Sequence, residues 1–143
     1  MRIIIVLIAF FLASCHHTDV RLRIINQSDK SIAFRIGNLK ELSRSDVSVS
    51  NAFRNLSPTE KKQYIIYTSW ESRFADDSLI YVIALPNSSL KLSGYCCIPL
   101  YDSLKRAGDF LYRKYSFDEL VEKKWLVRFP DDGFKQGDSL LYK

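Results

Sequence analysis

The stretch SLIYVIAL, residues 78–85, is the most apolar part of the chain after residue 14. It is rich in β-branched and aromatic residues, and the turn-forming residues PNSS follow it. A continuous apolar run of this kind predicts a central strand that is buried on both faces of its sheet. We therefore expect the other strands of the fold to pack around this one.

Two shorter stretches near the start alternate apolar and polar residues, VRLRIIN at 20–26 and SIAFRIG at 31–37. Such alternation is typical of half-buried strands. The turn cluster NQSDKS joins them, so we predict a β-hairpin that closes at Gly37. Further β-prone stretches follow: YIIYTSW (64–70), LKLSGYCCIP (90–99), DFLYRKYSF (109–117) and WLVRFP (125–130).

Helical signals are short. SFDE at 116–119 is a capping box and predicts a helix through Lys123 or Lys124. SPTE at 57–60 predicts one helical turn by the same rule, and residues 39–42 and 101–109 have some helical character. About seven strands with two or three short helices predict an antiparallel β-sandwich, as a single domain over residues 20–143.

The first 14 residues form a separate unit. After Arg2, the uncharged run from Ile3 to Ala13 is shorter than the about 20 residues that span a bilayer. It fits the roughly 7–15-residue core of a secretory signal, so we predict a signal-peptide helix ahead of the domain. A buried N-terminal strand or helix is the alternative.

The run ends in Leu12-Ala13-Ser14-Cys15. This tetrapeptide resembles the lipobox of bacterial lipoprotein precursors, in which an aliphatic residue and two small residues precede the modified cysteine. The resemblance implies that residues 1–14 are removed by cleavage between Ser14 and Cys15, and that Cys15 carries the lipid. An ordinary signal peptide with a chance cysteine is the alternative. Residues 15–19 are then a lipidated cysteine and a short tether.

The residues after Cys15 bear on the membrane that receives it. In the lipoprotein class an Asp at the next position often signals retention at the inner membrane, and here that position is His16. No acidic cluster of the kind linked to surface export follows, since only Asp19 is near. The resemblance therefore implies a lipid anchor in the outer membrane that faces the periplasm.

The remainder of the chain carries a second resemblance, built from IINQSDKSIAF at 24–34, Trp70-Glu71, and YRKYSFDELVEKKWLVRFP at 112–130. These spaced motifs resemble small β-rich envelope lipoproteins of unknown function in Gram-negative bacteria. The resemblance implies location and fold, and it implies no activity or catalytic residues.

Charge and cysteines restrict the function further. The net charge of +5 is scattered and forms no patch that tracks phosphates, so no nucleic-acid partner is expected. Cys96 and Cys97 are adjacent, and a disulfide between neighbouring residues is strained because their Cα atoms are too close. We interpret them as two small, half-apolar residues, with a redox-active or metal-binding pair as the alternative.

Catalytic signals are weak. The only histidines, His16 and His17, lie in the tether, which disfavours a nucleophilic triad or a zinc site, and no cofactor is expected. Three adjacent acid pairs occur: Asp76-Asp77, Asp118-Glu119 and Asp131-Asp132. A glycan- or cell-wall-acting enzyme that uses separated carboxylates stays open as the alternative function.

Aromatic residues offer a binding interpretation. Trp70, Tyr112 and Trp125 are candidate ligand-contacting residues for a glycan, although core packing is the other interpretation of the same residues. Tyr112 and Tyr115 should lie on opposite faces of one strand. We therefore expect a membrane-anchored envelope lipoprotein that binds another envelope protein or a glycan, or that has a structural role, without enzymatic activity.

Overall fold

The computed structural model describes residues 18–42, 53–86 and 110–137. In these ranges the protein is mainly β, with eight strands in two sheets and three short helices. In chain order they are β1 (Arg23–Asn26), β2 (Ile32–Gly37), α1 (Leu39–Leu42), β3 (Arg54–Leu56), β4 (Lys61–Gln63), α2 (Trp70–Asp76), β5 (Ile80–Pro86), β6 (Leu111–Tyr115), α3 (Phe117–Glu122), β7 (Leu126–Phe129) and β8 (Lys135–Gln136).

The two sheets form the predicted sandwich. The smaller sheet has the strand order β4-β1-β7, and the larger has the order β3-β2-β5-β6-β8. Apolar side chains from both sheets meet in one buried cluster, with Leu22, Ile24 and Val127 from the smaller sheet against Phe34 and Val82 from the larger. This contact between the inner faces is the core of the domain.

The apolar stretch 78–85 is confirmed as the central strand of the larger sheet. In β5 every residue from Ile80 to Leu85 is at most 3 % exposed. Ile80, Val82 and Ala84 belong to the core between the sheets, while Tyr81 and Ile83 belong to a second buried cluster on the opposite face. Burial on both faces explains why this strand has no polar alternation in its sequence.

The predicted hairpin of β1 and β2 is wrong, although both strands exist. β1 pairs with β4 and β7, whereas β2 pairs with β3 and β5 in the other sheet. The physical reason lies in Asn26, whose buried amide nitrogen donates to the carbonyls of Lys30 (2.8 Å) and Leu56 (3.1 Å). These bonds fix a turn that carries the chain across the sandwich instead of back along β1.

One strand pair departs from the predicted antiparallel arrangement. β1 and β7 are parallel, with Ile24 opposite Val127 and Asn26 opposite Phe129. The chain reaches β7 from the other sheet through α3, and a crossover connection permits the parallel direction. The remaining strand pairs of the described residues are antiparallel.

The helix predictions have mixed outcomes. α1 and α3 are confirmed, and the Ser116 hydroxyl accepts a hydrogen bond from the Glu119 N–H at 3.2 Å. The predicted turn of helix at 57–60 is wrong, because this segment is the turn between β3 and β4. The strand predicted over 64–70 is wrong, because within it only Ile66 makes an isolated bridge, to Asp19. The helix α2, which begins at Trp70, was not predicted.

Several predictions lie outside the described residues. They concern the signal-peptide helix of residues 1–14, Ser14, Cys15, His16, His17, Tyr95, Cys96, Cys97, Tyr101, and the predicted elements over 90–99 and 101–109.

Candidate functional site

The first described residues join the chain to the smaller sheet. Asp19 and Ile66 exchange two backbone hydrogen bonds of 2.9 and 3.1 Å, and the Tyr64 N–H donates to the Leu22 carbonyl at 2.8 Å. Val20 and Arg21 therefore stand opposite the single residue Ile65, as in a β-bulge. A bulge turns the chain locally and leaves one N–H group without a partner in the ladder.

The buried Asp19 carboxylate supplies that partner. It accepts the Arg21 N–H at 3.1 Å and the Trp70 N–H, at the start of α2, at 3.3 Å. The Arg21 guanidinium binds the same carboxylate, with a shortest distance of 2.6 Å between Nη2 and Oδ2. The side chain of Arg21 and these N–H groups lower the pKa of Asp19 although its burial opposes them.

Arg21 also binds a second carboxylate. Its Nη2 lies 2.8 Å from both carboxylate oxygens of Glu71, and its guanidinium stacks 4.5 Å from the centre of the Trp125 ring. Nη2 of Arg21 thus bridges the carboxylates of Asp19 and Glu71. This ion-pair cluster ties the N-terminal segment to α2 and to the turn before β7.

The Asp19–Glu71 pair, bridged by Arg21, can be compared with the two carboxylates of a glycosidase. A retaining glycosidase places two carboxyl groups about 5–5.5 Å apart and keeps one protonated as the general acid. Here the guanidinium of Arg21 occupies the space between them and lowers the pKa of both Asp19 and Glu71. Both groups are ionised at neutral pH, so the pair holds no proton for a leaving group.

A shallow basic depression adjoins this cluster. It is lined by Val20, Arg21, Arg23, Gln63, Lys124 and Trp125 and has a volume of about 350 Å³. Arg23 donates to the Lys124 carbonyl at 3.0 Å, and Lys124 itself is exposed. Neither cation forms an ion pair with any described residue. Together with the adjoining Asp19 and Glu71, the cations Arg21, Arg23 and Lys124 leave this region a surplus of one positive charge.

The backbone after α3 positions both sides of this depression. Lys124 and Trp125 both adopt the left-handed conformation, with φ of 53° and 58°. This reversal sends the Trp125 ring inward, where it is 8 % exposed, and leaves Lys124 at the surface. The Trp125 carbonyl then accepts the Arg23 N–H at 2.9 Å, which starts the parallel ladder with β1.

A second concavity is an apolar groove of about 390 Å³ at the other end of β1. Most of its exposed lining surface is hydrocarbon from β2, β5, β6 and the end of β7. The lining residues are Ile32, Ala84, Leu85, Leu111, Phe129 and Pro130, with Ser28, Lys30, Ser31 and Gln136. Such a lining suits an apolar group better than a glycan, which needs many hydrogen-bond partners.

A third polar cluster centres on Asp132. Its carboxylate accepts hydrogen bonds of 2.9 Å from the Tyr115 hydroxyl, the Lys123 ammonium and the Arg128 N–H. Burial alone would raise the pKa of Asp132, but these three donors together lower it. Burial, and next the Asp132 charge, raise the pKa of Tyr115, so Tyr115 stays protonated. This is a structural brace between β6, α3 and β7.

The three acid pairs singled out in the sequence have structural positions. Asp118 and Asp131 are exposed, and Glu119 binds Arg113 at 2.6 Å. Asp77 accepts the N–H groups of Leu39 and Leu79, both at 3.3 Å. The Asp76 side chain lies outside the described residues.

The candidate ligand-contacting aromatics lie mostly inside the domain. Trp70 is fully buried, and its ring centre lies 5.8 Å from that of Trp125 and 6.4 Å from that of Phe74. Neither indole presents a free face for stacking on a sugar, so both are core residues in this structure. Tyr112 is half-buried and packs on the face opposite Tyr115, as predicted.

The Asp19–Arg21–Glu71 cluster could not be predicted from the sequence, because Arg21 and Glu71 are 50 positions apart. Its one sequence signal is the Trp70-Glu71 motif, which the structure explains as one core indole and one ion-pairing acid. Within the described ranges no helix is long and apolar enough to cross a membrane, and no three His, Cys, Asp or Glu side chains are grouped as metal ligands.

Comparisons with models of protein families, with curated proteins and with solved structures found no match for this chain.

Proposed function

We propose that this protein is a lipid-anchored module of the bacterial cell envelope that binds another envelope component and has no enzymatic activity. The lipid is attached to the sulfur of Cys15, which becomes the first residue when residues 1–14 are removed. The membrane is the outer membrane, and the domain faces the periplasm. The lipobox resemblance of Leu12-Ala13-Ser14-Cys15 supports the anchor.

The observation that carries this proposal is the position of Asp19. This residue is fixed by two backbone hydrogen bonds and by four N–H donors to its carboxylate, and it follows Cys15 by four residues. Four residues span at most about 14 Å. A lipid on Cys15 would therefore hold the folded domain directly at the bilayer surface, without a long linker.

The chemistry of the described carboxylates supports a non-enzymatic role. Asp19 and Glu71 are bridged by Arg21, and Asp132 is held by Tyr115 and Lys123. Each acid serves the packing of elements, and the Asp19–Glu71 pair lacks a protonated member. Binding is supported instead by the apolar groove, whose volume lies in the range of about 300–1,000 Å³ found for ligand sites.

Fractionation of a Gram-negative host that expresses the full chain tests the anchor. Wild-type protein should sediment with the outer membrane and resist extraction by high salt. Cys15→Ser should remain an uncleaved precursor or become soluble in the periplasm. A Cys96→Ser/Cys97→Ser variant is the matched control and should sediment like the wild type. Processing and sedimentation of Cys15→Ser like the wild type would refute the proposal.

The binding role has its own test. Purified protein should bind a fluorescently labelled acyl chain, and Leu111→Trp, which fills the groove, should weaken this binding at least tenfold. Val121→Trp is the control, because Val121 is 48 % exposed and does not line the groove. Equal affinity of the two variants would exclude the groove as the binding site.

A further inference from the structure

Exposed apolar side chains gather at the end of the domain where the chain leads to Cys15. Val20 is 39 % exposed, Ile65 is 42 % exposed and Tyr67 is 73 % exposed. The bridge between Asp19 and Ile66 makes them neighbours, because Val20 follows Asp19 while Ile65 and Tyr67 flank Ile66. In extended chains successive side chains point to opposite faces, so burial of Asp19 and Ile66 turns these three toward solvent.

The basic depression lies beside these side chains. Val20 lines it together with Arg23 and Lys124, the two cations that form no ion pair with described residues. The nearby acids Asp19 and Glu71 both bind Arg21, whose single positive charge offsets one of their two negative charges. Val20 therefore joins the exposed apolar groups to a region in which Arg21, Arg23 and Lys124 outnumber Asp19 and Glu71 by one positive charge. We call Val20, Arg23, Ile65, Tyr67 and Lys124 the Tyr67 surface.

The short stretch of chain between Cys15 and Val20 limits the distance between this surface and a lipid on Cys15. Val20 follows Cys15 by five residues, which span at most about 18 Å. If Cys15 carries lipid, this is the end of the domain held nearest to the bilayer. Tyrosine favours the headgroup level of a membrane, apolar side chains enter the acyl boundary, and lysine and arginine are attracted to anionic lipid phosphates.

We propose that the Tyr67 surface lies against the anionic bilayer surface that holds the anchor. Ile65 and Tyr67 enter the headgroup region, and Arg23 and Lys124 bind lipid phosphates. The contact fixes the orientation of the domain, so the apolar groove at the other end of β1 faces away from the membrane. This inference rests on the proposed lipid anchor at Cys15.

Depth measurement by spin labelling tests the contact. The lipidated protein, with Cys96 and Cys97 replaced by Ser, is reconstituted in vesicles of phosphatidylethanolamine and phosphatidylglycerol. A nitroxide is attached through Tyr67→Cys or, as the control, Ser57→Cys, an exposed site in the turn beside the far end of β1. The collision rate with apolar oxygen, relative to a water-soluble nickel complex, should be several-fold higher at position 67 than at position 57.

Charge reversal provides the second arm. Arg23→Glu/Lys124→Glu should reduce the oxygen preference at position 67 to the level at position 57, while the protein still floats with the vesicles. Vesicles of phosphatidylcholine alone should also lower it. Equal accessibility at both positions in protein that floats would overturn the proposed surface and leave the anchor intact. Failure to float would refute the anchor itself.

A second copy of the chain on the same surface gives a different signal. The label at position 67 would then be shielded from both oxygen and nickel, and its spectrum would broaden as the protein density in the vesicles rises. That result would also overturn the bilayer contact.

Discussion

Asp132 lies in the turn after β7 and accepts hydrogen bonds from Tyr115 on β6, from Lys123 after α3 and from Arg128 on β7. Its neighbour Asp131 is exposed. In the sequence the two acids look alike, because they are adjacent and directly precede Gly133. The difference between them arises from tertiary contacts, which only the fold supplies.

Asp132→Asn should lower the free energy of unfolding by about 2–3 kcal/mol, because it removes the charge that three donors bind in a buried position. Asp131→Asn should change it by less than about 0.5 kcal/mol. Urea unfolding at pH 7 measures both. Equal effects of the two substitutions would contradict the role given to Asp132.

Acid should remove the same stabilisation. The pKa values of Asp19 and Asp132 are lower in the folded state than the ordinary value of 3.8. Their contribution is therefore complete above about pH 4 and is lost as the pH falls through the lowered values. Unfolding followed between pH 6 and pH 2 should show this loss in the wild type and a smaller loss in Asp132→Asn. Identical profiles would exclude Asp132 as a source of acid sensitivity.

Asn26 is the second residue whose side chain decides a connection. Asn26→Asp replaces an amide that donates to two carbonyls by a carboxylate that faces them, and we expect a loss of about 3 kcal/mol or more. Asn55→Asp, at an exposed position in β3, is the matched control and should be nearly neutral. Thermal unfolding compares the two, and a stable Asn26→Asp domain would contradict this account of the turn.

At the scale of elements, the sequence predicts strands better than it predicts their partners. β5 follows from a continuous apolar run, and β6 and β7 follow from short stretches rich in aromatic and branched residues, because these properties belong to each strand's own residues. The partners of β1 depend on Asn26 and on Thr59, whose N–H donates to the Asn26 carbonyl at 2.8 Å. Those bonds join distant parts of the chain, so the hairpin prediction failed where local turn signals were strongest.

Capping signals also need tertiary context. At 57–60 the Glu60 carboxylate accepts the Ser57 N–H at 2.7 Å, as in a capping box, yet Thr59 has a φ of 61° and the segment forms a turn between strands. The reverse holds for α2, which is a helix although the residues before it favour a strand. Ser69 caps it, but the preceding aromatic and β-branched residues favour a strand, and packing of Trp70 in the core overrides that propensity.

Ser69→Ala should destabilise the domain by about 1 kcal/mol, because its hydroxyl accepts the Ser72 N–H at the start of α2. Ser72→Ala is the control, since Ser72 is exposed and contributes only its backbone N–H to this cap. The midpoint of urea unfolding measures the difference. A midpoint for Ser69→Ala equal to that of Ser72→Ala would show that the cap adds nothing.

For the domain as a whole, the sequence predicts only part of the candidate site. The sequence Leu12-Ala13-Ser14-Cys15, on which the proposed anchor rests, can be recognised without a structure. The ion-pair cluster and the Tyr67 surface cannot be predicted in this way. They bring together residues 19–23, 65–71 and 124, which are far apart in the chain. Trp70 and Trp125, which composition alone leaves open as ligand contacts, become core residues only through the ring packing between α2, α3 and the smaller sheet.

The lipid anchor can be examined by intact-mass and N-terminal fragment spectrometry of the protein from the membrane fraction, after metabolic labelling with a fatty acid. We expect the chain to begin at Cys15 and Cys15 to carry the label in a diacylglyceryl group. Cys96 and Cys97 should remain free of lipid. A chain that begins at Met1, or an unmodified Cys15 in the membrane fraction, would contradict the lipid anchor.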